Sequence, residues 1–439
     1  MSAGPDEPTT PTFAAPPSPD GLVLAPFRAL RYDPALVDLP AVTSPPYDVI
    51  DAAGVEALER ASDSNVVRLI LPRDEASEGD RYLRAASTLR DWRTSGVVRP
   101  DPEPALYVYE QSSPAHAQRG LLGALALTPP EDGIVLPHEN TMSGTVSDRL
   151  ALYTAVGADL EPIFLLYGGG GAASEAVASV SAAPPLVDVT LADGLRHRLW
   201  ALTDPAQLAA IDADLRGRTA VIADGHHRYA TYLQRQAAAH AAGDGPGPWD
   251  FGLTFLVDST AFGPEVHPIH RVVPHVEAFE LARRAEGAMQ VHELDGDDLE
   301  SALTGLAQAG ASGPAFLLVS GDGGTLRLLT QPHAERLARA LPAERSPAWR
   351  ALDVSVLHHY LVADVWGLVD DVDTVRYEHD VEAAVAAAAA SGGTAVLLNP
   401  TPVEAVTAVA AGGERMPRKS TLFTPKPRSG LVIRDHRDA

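Results

Sequence analysis

Cysteine is absent from this chain, which excludes disulfides, thiolate nucleophiles and cysteine-ligated zinc or iron–sulfur centres. Lysine is nearly absent. Of the 34 basic residues only Lys419 and Lys426 are lysines, so the other 32 are arginine. Positive charge as a whole is scarce: 58 acidic residues against those 34 give a formal net charge of −24. So acidic a chain repels polyanions, which excludes nucleic acid and anionic membrane as generic partners, although a local basic patch can still take a small phosphate. Long apolar runs are missing as well. The longest uncharged stretch, Ala383 to Val403, is Ala-rich and broken by Gly392-Gly393 and Asn399-Pro400, so it does not read as a membrane span. The opening MSAGPDEPTTPTF lacks the basic-then-apolar profile of a secretory signal, and a soluble, cytoplasmic protein is expected.

What is present has the make-up of an ordinary globular protein, 45% apolar and 21% charged over 439 residues. At ~150 residues per domain this is about three units, or two large ones. A chain of this length buries a core without covalent or metal staples. Residues 1–20, rich in Pro, Thr and Ser, read as a disordered tail. Strands are predicted over Val66–Leu71, Ala105–Tyr109, Leu121–Leu127, Pro162–Tyr167, His197–Leu202, Thr219–Ala223, Phe251–Val257, Ala315–Val319, Thr325–Leu329 and Thr394–Leu398. Helices are predicted over Asp80–Arg93 (capped by Gly96), Ala206–Leu215, Gly225–Ala241 and the amphipathic Leu352–Val365. The alternation specifies a mixed α/β fold. The expected organisation is an N-terminal α/β domain over 21–195, a second over 196–345, and a helical and strand region over 346–439 closing the site.

The two lysines lie in one eight-residue window, Lys419-Ser-Thr-Leu-Phe-Thr-Pro-Lys426. In a chain that otherwise uses arginine, this marks a place needing a compact, titratable ammonium that the planar guanidinium cannot replace. Chance survival is the alternative. The strongest local signal is Thr219-Ala-Val-Ile-Ala-Asp-Gly-His-His-Arg-Tyr-Ala-Thr-Tyr-Leu233, an apolar strand turning straight into a helix. The first turn of a helix carries backbone N–H groups without acceptors and the positive end of the dipole, which suits an anion. Gly225 admits a close backbone approach, and His226, His227 and Arg228 add donors, Arg228 with a fork that fits phosphate. Asp224 could cap the helix or hold Mg²⁺. The two histidines, at i and i+1, diverge by about 100° and do not by themselves make a zinc site.

A second constellation, His138, Glu139, Thr141, Asp148 and Arg149, gathers an imidazole, carboxylates, a hydroxyl and a guanidinium within twelve residues. Such a stretch suits acid–base work, with Glu139 or Asp148 taking a proton and His138 assisting. A capping loop with a structural Asp148–Arg149 pair is the plainer alternative. Ser44-Pro-Pro-Tyr47-Asp48 is a rigid turn presenting two polar side chains, and His270-Arg271 offers a further anion contact. His358-His359 reads as packing within its helix.

These segments, SPPYDVI, ALYVYEQ, LPHENT with SDR, IADGHHRYATYL, HPIHRVV, LDVSVLH and RKSTLFTPKPRSGLV, together resemble domain-of-unknown-function family 1015 over residues 25–434. The chain departs from that pattern at Gly144-Thr-Val-Ser147, where a basic residue is usual. The D-G-H-H-R turn is also similar to the phosphate-binding strand–turn–helix of the ParB/sulfiredoxin-like superfamily, one branch of which phosphorylates free serine. This resemblance implies a ParB/sulfiredoxin-like phosphate-binding core with additional mixed-sheet regions. It also implies a nucleotide-dependent phosphotransferase acting on a small hydroxylated metabolite such as serine, with ATP or ADP as donor and Mg²⁺ as cofactor. The partner is then a phosphorylated small molecule or nucleotide. In this reading Gly225, His227, Arg228, Tyr229, Arg149, His270, Arg271, Lys419, Ser420, Thr421 and Lys426 hold phosphate. Glu139, His138, Asp224, His226 and Asp148 carry the chemistry, and Tyr47, Asp48 and Thr141 meet the substrate. A phosphatase acting on an ester such as phosphoserine, and a phospho-ligand binder without turnover, are the alternatives. Reductase chemistry of the sulfiredoxin kind needs a cysteine and is excluded.

Overall fold

A computed structural model describes residues 20–73, 80–180, 183–294, 298–321, 324, 326–371 and 373–438. The tail expected over 1–20 therefore lies outside the described residues but for Asp20. The fold is mixed α/β, as the alternation of patterns specified. The chain forms two compact units, and their boundaries are not the expected consecutive ones. The first comprises residues 1–136, 141–264 and 425–439, and the second 137–140 and 265–424.

The first unit is built on a nine-stranded mixed sheet. Its strands are β1 (Leu24–Ala25), β2 (Leu106–Ser112), β3 (Ala117–Ala126), β4 (Val135–Leu136), β5 (Ile163–Tyr167), β6 (Val187–Thr190), β7 (Arg196–Leu202), β8 (Ala220–Asp224) and β9 (Phe251–Asp258). They run in the order β4-β8-β5-β9-β3-β2-β7-β6, with β1 added on β3. β8 is parallel to β4 and β9 to β5, while the other pairs are antiparallel. A domain boundary at 195/196 is ruled out because β6 and β7 are adjacent antiparallel strands, Thr190 opposite Arg196. Helices α1 (Ala52–Ala61), α2 (Val67–Ile70), α3 (Asp80–Ser95), α4 (Ser143–Val156), α5 (Gly171–Ser179), α6 (Pro205–Leu215) and α7 (His226–Ala242) belong to the same unit. Its core includes Leu121, Leu125, Ile163, Leu165, Ile222, Tyr232 and Leu256. The Tyr153 ring of α4 stacks on Tyr232 of α7 at 5.6 Å.

The strand predicted over Val66–Leu71 is instead the one-turn helix α2. Val66, Val67, Leu69 and Ile70 are all buried, and a run buried on every side carries no periodicity to tell helix from strand. Asn65 decides it locally: its side-chain oxygen accepts from Val67 N–H at 2.9 Å and starts the turn. The C-terminal residues return to this unit through buried Asp159. That carboxylate meets Arg235 at 2.7 Å, Arg434 at 2.8 Å and His436 at 2.9 Å, while Arg434–Asp435 pairs with Ala158–Asp159.

The second unit carries a six-stranded antiparallel sheet of β10 (His270–Val273), β11 (Gln290–Leu294), β12 (Phe316–Ser320), β13 (Leu326–Thr330), β14 (Arg376–Glu378) and β15 (Thr394–Leu398). The order is β11-β13-β12-β15-β10-β14. Because β15 lies between β12 and β10, the boundary expected at 345/346 would cut through a sheet. β15 is buried along its whole length and β12 at all but its last residue, which is why both read as continuous apolar runs. Leu317, Leu397 and Val272 share the core of this unit with Leu306 and Ala388. The amphipathic helix expected over Leu352–Val365 is a short α-turn followed by α8 (Val356–Val365), wound as a π-helix and buried at six of its ten positions, Tyr360 and Leu361 among them.

Candidate functional site

In the first unit, β8 ends at Asp224 and α7 begins at His226. The register between β8 and β5 shifts between Ile222 and Asp224, at the end of the strand. Gly225 is the helix N-cap, at φ +96° and ψ 28°, and no side chain caps the helix. A β-carbon there would stand 3.2 Å from the Arg228 guanidinium in a backbone region that L side chains rarely adopt. Asp224 is therefore not the cap. Its Oδ2 takes Arg228 at 2.5 Å and its Oδ1 takes the Lys426 ammonium at 2.6 Å. Lys426 also meets Asp48. One ammonium thus lies between two carboxylates contributed by distant segments, with the Asp48 side chain 35% and that of Lys426 16% exposed.

Burial alone would lower the Lys426 pKa, but Asp224 and Asp48 outweigh it and hold the ammonium well above the ordinary lysine range. Burial likewise pushes Asp48 up, and Lys426 with Arg228 more than reverses that. His227 sits one residue into α7 and its Nε2 accepts from the Met142 N–H at 3.0 Å, so that nitrogen is unprotonated. Burial, then Arg228, keeps its pKa below the usual histidine value. Thr141, next to Met142, is exposed.

Arg228 corrects the sequence reading. The guanidinium is only 1% exposed, with one terminal nitrogen on Asp224 and the other donating to the Pro162 carbonyl at 2.5 Å. The fork expected to grip phosphate thus points into the protein. Tyr229 is also turned inward: its hydroxyl donates to the Thr128 carbonyl at 2.5 Å and accepts from the Thr128 N–H. His226 is buried at the start of α7. Asp148 is a poor base, because Arg149 and Arg81 at 2.5 and 2.8 Å, with the Tyr82 hydroxyl, overcome its burial and hold its carboxyl below the ordinary range. Arg149 is buried, donates to the Ile70 carbonyl at 2.6 Å and lies 4.6 Å from the centre of the Tyr47 ring. Burial pushes the Tyr47 hydroxyl up to about 12.

The remaining candidates belong to the second unit. His138 Nε2 is 3.1 Å from Thr421 Oγ1, and its carbonyl accepts from Met416 N–H. Glu139 is half-buried. Ser420 donates to the Pro417 carbonyl at 2.5 Å. Lys419 has φ +55°, and its carbonyl accepts from buried Arg271 at 3.0 Å. Arg271 Nε donates to His358 Nε2 at 3.0 Å, and burial brings the Arg271 pKa down to about 10. His270 is brought down to about 4 by burial and Arg271, and its Nδ1 accepts from Leu398 N–H. All three guanidinium nitrogens of Arg271 are engaged within the protein, and His270 is buried. The two lysines, neighbours in sequence, fall in different units.

Sequence reasoning missed Glu161 and Ser429. Glu161 is buried directly before β5, and its Oε1 accepts from the Tyr47 N–H and the Ser429 hydroxyl, both at 3.0 Å. The only available signal was a carboxylate inside the apolar run Leu160-Glu-Pro-Ile-Phe164. For Mg²⁺ at Asp224 the fit is poor. Both carboxylate oxygens are taken by cationic side chains, and among the described residues no group of three metal-ligating side chains forms. Among them, too, no helix is long and apolar enough to cross a membrane.

The sequence profile of the family "Protein of unknown function (DUF1015)" matches residues 24–355. No curated protein matches the chain in sequence. Among solved structures it is similar to a free serine kinase mutant in complex with AMP, at 14% identity and TM-score 0.33, over 76% of this chain and 94% of that one. It is also similar to C-terminally truncated SbnI from Staphylococcus aureus, at 10% identity and TM-score 0.33, over 71% and 86% of the two chains. A conserved hypothetical protein from Pyrococcus furiosus overlaps at 13% identity and TM-score 0.31, over 70% and 94%. Overlaps of this size assign no activity.

Proposed function

The chain belongs to the family of proteins of unknown function DUF1015, and for this member we propose phosphoryl transfer from ATP or ADP to a small hydroxylated metabolite, serine being the first candidate, at the β8–α7 junction. The observation that carries this reading is the placement of Lys426. One of two lysines in the chain sits 2.6 Å from Asp224, beside a helix N-terminus that no side chain caps. A phosphoryl group entering there takes the ammonium and the first-turn N–H groups as donors, and this positioned positive charge stabilises the phosphoryl oxygens. The P–O bond to the nucleotide breaks, a P–O bond to the substrate hydroxyl forms, and the hydroxyl proton passes to a base. In the first unit His227 is the neutral imidazole available for that role, its Nε2 lone pair now engaged by the Met142 N–H. Glu139, the base favoured from the sequence, belongs to the second unit.

The test incubates the purified full chain with serine and ATP or ADP, and separately with phosphoserine, and follows products by phosphorus NMR. Serine phosphorylation is expected, with Lys426→Ala and Lys426→Arg each losing more than about tenfold in turnover, some 1.4 kcal/mol of transition-state stabilisation. Free phosphate from phosphoserine alone would identify a phosphatase instead. Ligand-induced thermal stabilisation without any product would identify a binder. Undiminished turnover in Lys426→Ala would overturn the assignment.

A further inference from the structure

Glu161 has no part in the chemistry just described, yet it lies fully buried beside it. Its Oε1 bonds two segments that are 114 and 268 residues away in sequence, through Tyr47 N–H and Ser429 Oγ. The same segments are tied by reciprocal backbone bonds between Ser44 and Ser429, at 3.2 and 2.9 Å. Asp48 directly follows Tyr47, and Lys426 precedes Ser429 by three residues. Both reach the Asp224 network. On the C-terminal segment, the Lys426 carbonyl accepts from the Gln111 amide at 2.9 Å, which fixes its other side.

A buried carboxylate with only part of its hydrogen-bonding capacity filled is costly, and an apolar side chain would pack at that position more cheaply. Among the described residues Glu161 Oε2 has no hydrogen-bond partner, nor have the buried Tyr153 hydroxyl and Arg228 Nε. Burial accordingly pushes the Glu161 carboxyl above its ordinary range, in spite of Arg228 and Arg149 nearby. A group buried at such cost has both of its bonds directed at the two segments of chain that carry Asp48 and Lys426, and that gives it a geometric task.

We infer that Glu161 is a positioning residue, a buried clamp whose bonds to Tyr47 N–H and Ser429 Oγ set Asp48 and Lys426 against Asp224. This rests on the reading of the junction as the phosphoryl-transfer site, and the test separates the two.

Because the chain has only two lysines, acetylation of the full-length protein under limiting reagent, followed by mass spectrometry, reports Lys426 individually. In the wild type the clamped ammonium should acetylate slowly. Glu161→Ala should raise the Lys426 rate by about tenfold, the factor that one pKa unit makes in the free-amine fraction. Glu161→Gln keeps an acceptor oxygen and should restore the wild-type rate, and its kcat should follow while KM for the nucleotide stays put. Ser429→Ala deletes one bond without touching a charge and should give an intermediate rise, so it decides the matter should Glu161→Ala not fold. A folded Glu161→Ala, or failing that Ser429→Ala, with an unchanged Lys426 rate would overturn the clamp. The lysine response without any phosphoryl product would retire the phosphoryl-transfer reading and leave the clamp standing.

Discussion

Arg228→Ala should unfold the first unit more readily, not merely silence it. The guanidinium is 1% exposed, pairs with Asp224 at 2.5 Å and donates to the Pro162 carbonyl at 2.5 Å. It also opposes the charge of buried Glu161. Asp224 keeps Lys426 after the substitution, but Glu161 is left with Arg149 as its remaining cationic neighbour and the Pro162 oxygen loses its donor. Breaking a buried pair costs about 3–5 kcal/mol, and an orphaned buried carbonyl about 1–3 kcal/mol. The two losses share one side chain and are not additive, so about 4 kcal/mol is expected. At about 2–4 °C per kcal/mol for domains of 150–250 residues, Tm falls by about 8–16 °C. Differential scanning calorimetry of the full chain checks this, with Arg228→Lys as the charge-retaining comparison. A Tm within about 2 °C of wild type, less than 1 kcal/mol on that scale, would refute the inward-facing guanidinium and return the residue to the surface, as a phosphate ligand of the kind its sequence neighbourhood suggests.

Gly225→Ala forces a β-carbon into φ +96° and against Arg228, which should cost about 1–2 kcal/mol in urea unfolding and lower turnover further than stability alone explains. Glu161→Gln should flatten the pH dependence of stability. The folded-state pKa of Glu161 lies above its ordinary 4.5, so the stability this group contributes is complete below 4.5 and is lost as pH rises through the folded value. Wild-type ΔG measured across that range should decline relative to the variant, and parallel curves would count against a buried carboxyl. Asp159→Asn removes the carboxylate shared by Arg235, Arg434 and His436 and should cost about 3–5 kcal/mol near neutral pH. Asp159 is held far below its ordinary 3.8, burial notwithstanding, by Arg235, His436 and Arg434, so its contribution is present above 3.8 and disappears as pH falls through the folded value. Denaturant titrations at neutral and strongly acid pH test both statements.

Much of the candidate site was legible because its signals are local. An apolar strand followed by Asp224-Gly225 and a helix is a contiguous pattern, and it folds as read. The scarcity of lysine singled out Lys426, which the fold sets on Asp224. Asp148–Arg149 was visible as a pair, and a pair it is. Illegible were the features made by partners far apart in sequence. The periodicity within Val66–Leu71 does not distinguish a buried helical turn from a buried strand, and nothing around Arg228 tells which way a guanidinium faces. Lys419 and Lys426 differ by seven positions, yet the chain passes from one compact unit to the other between Thr424 and Pro425.

The residues by themselves determined the class of fold, the exclusion of sulfur chemistry and the β-to-α junction, since composition and short-range periodicity act within a few residues of chain. Which charges neutralise which was decided only by tertiary structure. Lys426 with Asp48 and Asp224, and Glu161 with Tyr47 and Ser429, come together through burial and backbone pairing across more than a hundred residues, and in a low-dielectric interior that proximity, not the identity of a sequence neighbour, fixes what each group can do.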